Sequence, residues 1–272
     1  MPNHVMNHIS VIGDDEQRSM LRKIAEYLRP EGKSLGHVDF NKLIPMPASL
    51  QVEAGSRGEK GLKVYHEYAN AVNIVTRKAK SGQLTEQQKE SRLSDLKKHY
   101  MKLVKDDPEV FELGKQYYDN IQQYGCPTWY EWSIRNWGTK WNAYQCISMP
   151  KEAECLTFWT AWNGVPRILS FLSQQFPNMK IEYKWADEDI GQNAGHMIFQ
   201  GGKMIEDRSP YSGSIEAYEQ AADLWELDLE SEGFLLSKDG STYEYRDRET
   251  AECPPPERSE KKDKSRSRGE AR

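Results

Sequence analysis

The sequence predicts an α+β fold: a split β-α-β, ferredoxin-like sandwich with a helical insertion and a disordered basic C-terminal tail. Three observations predict it. A β-α-β order of hydrophobic periodicities fills the first fifty residues, and a second such order follows residue 155. Between them lies a stretch rich in Lys, Glu, Gln and Tyr with helical spacing. Right-handed crossovers favour four antiparallel strands carrying helices on one face. The expected organisation is a first half over 1–56, the insertion over 57–124, a second half over 125–252 with a tryptophan-rich segment and a late helix and hairpin, and the tail over 253–272.

The elements follow in order. Val5, Ile9 and Val11 share one face of a strand and His4, Met6, His8 and Ser10 the other. Gly13-Asp14-Asp15 turns the chain and caps a helix whose buried side is Leu21, Ile24, Ala25 and Leu28. Val38 to Met46 reads as a second strand, stopped by Pro45 and Pro47. In the insertion one helix spans Glu59 to Lys80. A second begins at Thr85 with Gln88 in capping-box position and an apolar stripe of Leu93, Leu96, Tyr100 and Leu103. A third starts at Asp107-Pro108. Strands are expected at Leu156–Trp162, Met179–Trp185 and Gly195–Gln200, with a helix from Pro166 to Phe176. Asp187-Glu188-Asp189 reads as a solvated turn and Gly201-Gly202 as a hairpin turn. Ile215 to Leu229 carries a late helix, and Gly233 to Tyr245 a hairpin turned at Asp239-Gly240.

Composition narrows the function. The 272 residues carry 37 % hydrophobic, 29 % charged and 11 % aromatic side chains and a net charge of −5. An acidic body is a poor non-specific ligand for nucleic acid. The tail is the exception, with seven Lys/Arg against four Asp/Glu from Glu257 to Arg272. The four cysteines form no C-x-x-C, so free thiols in a reducing cytosol are expected. His4 and His8 sit about 13 Å apart along a strand, too far to share a metal. His37, His66, His99 and His196 show no ligand grouping, and neither metal nor cofactor is expected. His196 beside Gly195 is the one general-base candidate, and Cys146 and Cys155 have no activating histidine near them in sequence. No phosphate-binding or G-x-S-x-G motif is present. With no leader-like opening and no apolar run long enough for a membrane, a soluble protein of the host-cell cytoplasm is expected.

Six of the eight tryptophans lie between Trp129 and Trp162. In Trp137-Gly138-Thr139-Lys140-Trp141 the two indoles share a surface whether the run is extended or helical, and Lys140 can lie over an indole or reach an anion. The candidate binding set is Asn136, Trp137, Lys140, Trp141, Asn142, Trp159 and Trp162. It forms a stacking pocket for a base, nucleotide or peptide, or else a lid over the open face of the sheet. Phe158, Thr160 and Trp162 add a face on which bases could stack, without the RNP-type pattern.

Several runs resemble one family. Pro2-Asn3-His4-Val5 with Asn7, Asp39-Phe40-Asn41-Lys42-Leu43-Ile44-Pro45-Met46-Pro47, Asn136 through Ala143, Phe158-Trp159-Thr160-Ala161-Trp162 and Ala194-Gly195 are similar to the YubB-like proteins of phages and plasmids. The resemblance covers residues 2–50 and 125–205 and leaves out the insertion and tail. It implies a ferredoxin-like fold and a mobile-element origin, and nothing about catalysis. The expected function is a non-catalytic binding protein that engages a host or defence protein, with the insertion offering a polar helical surface. Nucleic-acid or nucleotide binding through the tryptophans is the alternative, and an enzyme whose pocket only folding assembles is the third.

Overall fold

The computed structural model describes residues 2–246. Along the chain run β1 (His4–Ile12), α1 (Asp15–Ser19), α2 (Leu21–Leu28), α3 (Ser56–Lys80), α4 (Glu86–Leu103), α5 (Glu109–Tyr124) and α6 (Trp129–Trp137). Then come β2 (Leu156–Ala161), α7 (Pro166–Gln175), β3 (Lys180–Asp187), β4 (Gly195–Gln200), β5 (Lys203–Asp207), α8 (Ile215–Trp225) and the hairpin β6 (Phe234–Leu236) and β7 (Tyr243–Tyr245).

β1 lies between β2 and β3, with one face apolar at Val5, Ile9 and Val11 and the other mixed at His4, Met6, His8 and Ser10. It pairs antiparallel with β2, His4 opposite Ala161, and with β3, Val5 opposite Asp187. β2 and β3 are therefore parallel with β1 between them, and α7 joins them in a split β-α-β. The sheet has five strands in the order β2-β1-β3-β4-β5. β5 was not foreseen; its five residues are all exposed, so nothing in its pattern separates it from a loop. On one face Val5, Ile9 and Val11 pack with Ile24 and Leu28 of α2 and Ile168, Leu169 and Leu172 of α7. Asn7 lies on this face too, fully buried. Its amide donates to the Val5 and Phe158 carbonyls and to Thr160 Oγ1, and its Oδ1 accepts from the Tyr183 hydroxyl at 2.6 Å.

Three expectations need correction. Helices cover both faces, not one: Ala221 and Leu224 of α8 bury Met6 and Ala186. The Trp225 indole N–H points at the Ala186 and Asp187 carbonyls, at 3.2 and 3.1 Å. Val38–Met46 is no strand but a loop with a short 3-10 turn at Phe40–Lys42, followed by another at Ala48–Leu50. Side chains there take over the bonds that a ladder would supply. Asp39 Oδ1 accepts from the Asn41 N–H and from Asn142 Nδ2, while Asn142 Oδ1 accepts from the Phe40 N–H. The free edge of β2 is closed instead by Tyr144 and Ile147, through bonds to Trp159 and Thr157. Finally, Asp187 is no part of a solvated turn. It ends β3, is 4 % exposed, and accepts from Asn3, Asn193 and the Asp189 N–H.

The helices α3, α4 and α5 form an arm. Its base is a small core of Val104, Val110 and Phe111 under Tyr65, Tyr68 and Tyr100. There Gly61 of α3 and Gly114 of α5 lie backbone to backbone. Arg57 fastens the base to Asp107, Glu53 and Glu109. Thr85 and Gln88 form the capping box that starts α4. The expected stripe of α4 is shallow: Leu93, Leu96 and Tyr100 are half-buried and Leu103 is 52 % exposed. No residue from 76 to 103 is buried. The disordered tail expected over 253–272 lies outside the described residues. Among those described, no helix is long and apolar enough to cross a membrane.

Candidate functional site: an aromatic end of the sheet

The tryptophan segment is built around one glycine. Thr128 caps α6, its side chain accepting from the Tyr130 N–H, and Gly138 ends the helix in the left-handed region at φ 84°. That reversal sends Trp137 inward and Trp141 outward, so they do not form one aromatic surface. Trp137 is 4 % exposed, crosses Trp132 and Phe40 edge to face, and donates its indole N–H to the Ile44 carbonyl at 2.9 Å. Thr139 then pins the chain to the end of β2 by exchanging hydrogen bonds with Ala161.

Lys140 follows, and its ammonium is enclosed by aromatic rings. Nζ lies 4.7 Å from the Trp141 ring centroid, 5.3 Å from Trp162 and 6.0 Å from Tyr130. Trp162 is held there with a positive φ of 74°. Its N–H donates to the Asn3 carbonyl, and its own carbonyl accepts from Asn193. A second aromatic group lies on the α8 face. Trp159 packs against His4 and Trp225, each at 5.2 Å, and Tyr144 bridges the two groups by touching Trp141 at 5.9 Å and Trp159 at 6.3 Å. The Tyr144 hydroxyl sits 2.7 Å from His4 Nδ1. Burial, with Glu188 nearby, pushes its pKa up to about 12, so it stays a neutral donor.

Of the seven sequence candidates, the structure thus gathers Lys140, Trp141 and Trp162, and links Trp159 to them through Tyr144. Trp137 is core. Asn136 donates to the Trp132 carbonyl within α6, and Asn142 clamps the Asp39–Phe40 loop. Tyr130, Tyr144 and His4 belong to the site and were not foreseen. Only the register of β1 on β2 brings His4 to the tryptophans.

A second place escaped the sequence. His8 and Cys155 line one cavity of about 300 Å³, with Met6, Leu224, Trp225 and Glu226. His8 is paired across the strands with Thr157, whose Oγ1 is 3.5 Å from Cys155 Sγ. Burial lowers the His8 pKa below its ordinary 6.5 against the opposing pull of Asp223 and Glu226, with Lys184 lowering it further. The unfolded chain therefore takes up a proton that the folded one refuses, and stability falls as pH drops through 6.5. His8→Gln is expected to flatten the decline of Tm between pH 7.5 and 5.5; an unchanged decline would assign it to other groups. His196, the general-base candidate, is held against Glu182 at 2.8 Å. No three His, Cys, Asp or Glu side chains among the described residues gather as a metal site.

With this geometry, residues 137–228 match the model of a family described as a ferredoxin-like domain in Api92-like protein. The fold is α+β and ferredoxin-like. The crystal structure of protein Api92 from Yersinia pseudotuberculosis is similar over 78 % of this chain and 99 % of that chain, at 12 % identity and a TM-score of 0.32. In a comparison with curated proteins nothing matches.

Proposed function

We propose that this is a non-catalytic binding protein of a phage or plasmid that engages a host or defence protein in the host cytoplasm. The mobile-element setting rests on the motif resemblance in residues 2–50 and 125–205. The contact surface rests on one observation: Lys140 held among Tyr130, Trp141 and Trp162 at the end of the sheet. Interface energy concentrates in a few Trp, Tyr and Arg anchors. Rings already locked against a cation lose little freedom on docking. Trp141 remains 37 % exposed, enough to contribute area to a partner. The arm, which the sequence favours for this contact, has a charged outer surface and no tryptophan.

Base stacking on the same tryptophans is the second reading. It is weaker because the indole faces turned to Lys140 are already occupied. The test is purification of the tagged protein from its host under nuclease treatment, followed by affinity measurement with whatever protein co-purifies stoichiometrically. Trp141→Ala is expected to weaken that complex at least tenfold, about 1.4 kcal/mol. An unaffected complex moves the contact off the aromatic end, and no stoichiometric protein ends the protein-binding reading.

A further inference from the structure

The distal half of the arm carries a charge of its own. Residues 70–105 hold nine Lys/Arg against three Asp/Glu, a net +6, which leaves −11 on the rest of the chain. Lys89 pairs with Glu86 at 2.9 Å. The other eight cations, Arg77, Lys78, Lys80, Arg92, Lys97, Lys98, Lys102 and Lys105, are all exposed, and among the described residues none of them stands in an ion pair. Nearer the base, Arg57 is neutralised by three carboxylates and Lys115 by Asp119. Seven of these eight cations lie within residues 76–103, where no side chain is buried.

We infer that this distal hairpin binds the phosphate backbone of nucleic acid. The surface is separate from the aromatic end, and the inference stands independently of the protein partner proposed there. α3 meets α5 at Gly61, and the nineteen residues from there to Lys80 carry it about 28 Å further at 1.5 Å per residue. On α4 the side turned from α3 presents Ser91, Asp95, Lys98 and Lys102, with Lys105 just beyond the helix. Lys98 and Lys102 lie about 6 Å apart along the axis, a length over which each strand of a duplex offers about two phosphates. That side lacks the apolar stripe by which a helix enters a lipid surface. The net acidic charge of the remainder repels a polyanion, which favours approach by the projecting end of the arm. Contacts of this kind are to phosphate and carry no sequence preference.

The test is fluorescence anisotropy with the full chain and labelled 30-base-pair duplexes of DNA and of RNA, starting at about 50 mM salt. Binding to either is expected, with an affinity that falls about a hundredfold between 50 and 200 mM salt if four phosphates are contacted. The separate duplexes tell which source supplies the phosphates. Lys97→Glu/Lys98→Glu/Lys102→Glu and, independently, Arg77→Glu/Lys78→Glu should each weaken binding at least tenfold while far-UV circular dichroism stays unchanged. Removal of residues 253–272 should leave binding within twofold. The inference is overturned if neither duplex binds at the lowest salt, if both folded charge-reversed variants bind like the parent, or if removing the tail abolishes binding. Equal affinity for phosphatidylserine vesicles would also overturn it. None of these results bears on Trp141→Ala, so the two proposals fail separately.

Discussion

Gly61→Ala or Gly114→Ala is expected to lower stability by about 2–3 kcal/mol, a fall in Tm of roughly 5–10 °C for a chain of this size. A Cβ on Gly61 would strike the Val110 carbonyl and the Gly114 backbone, and one on Gly114 would strike the Gly61 carbonyl. No side chain can rotate away to relieve a collision between two backbones. The helices must part, which draws Arg57 from Asp107 and opens the small core under Tyr65 and Tyr68. Thermal unfolding reads the loss, with Ser91→Ala on the exposed side of α4 as the control that should not move. A Gly114→Ala variant as stable as the parent would mean that α3 and α5 do not meet at this point.

Asn7→Ala should cost about 3–5 kcal/mol, more than the truncation of most apolar residues of similar size. The side chain has no access to solvent and joins β1 to β2 and β3 at once. Its loss leaves the Tyr183 hydroxyl without an acceptor and Thr160 Oγ1 without a donor. Burial pushes the Tyr183 phenol far up, so it cannot escape by ionising. The same hydroxyl also accepts from the Val165 N–H at the start of α7, so the disturbance reaches the crossover helix. A double-mutant cycle with Tyr183→Phe, read by denaturant unfolding, should give a coupling of about 1–3 kcal/mol. Additive losses would show that the two residues do not share a network.

The parts of the fold written locally were legible. β1, β2, β3, β4, α2 and α7 announce themselves by period, and the caps at Asp14 and Thr85 by residues three apart. What escaped depends on partners distant in sequence. Val38–Met46 has the composition of a strand, but Asn142, about a hundred residues on, satisfies the Phe40 N–H and holds Asp39 in a turn. Asp187 looks like surface until Asn3 and Asn193 close around it. The candidate site was half visible. Tryptophan density marked the region, but the opposite fates of Trp137 and Trp141 hang on one positive φ at Gly138. Cys155 meets His8 in one cavity through a strand register that no local pattern reports.

The place of β1 between β2 and β3 also sets an order of events during synthesis. The pairs that flank it, His4 with Ala161 and Val5 with Asp187, join residues more than 150 apart in the chain. At about 5–20 residues per second, roughly seven to thirty seconds separate the emergence of β1 from that of β2. For that interval a strand with one apolar face has no neighbour on either side. The arm, whose contacts are local, can complete its own packing in the meantime. Newly made chains therefore pass through a stage with a formed arm and an open strand, the stage at which aggregation or chaperone capture would act.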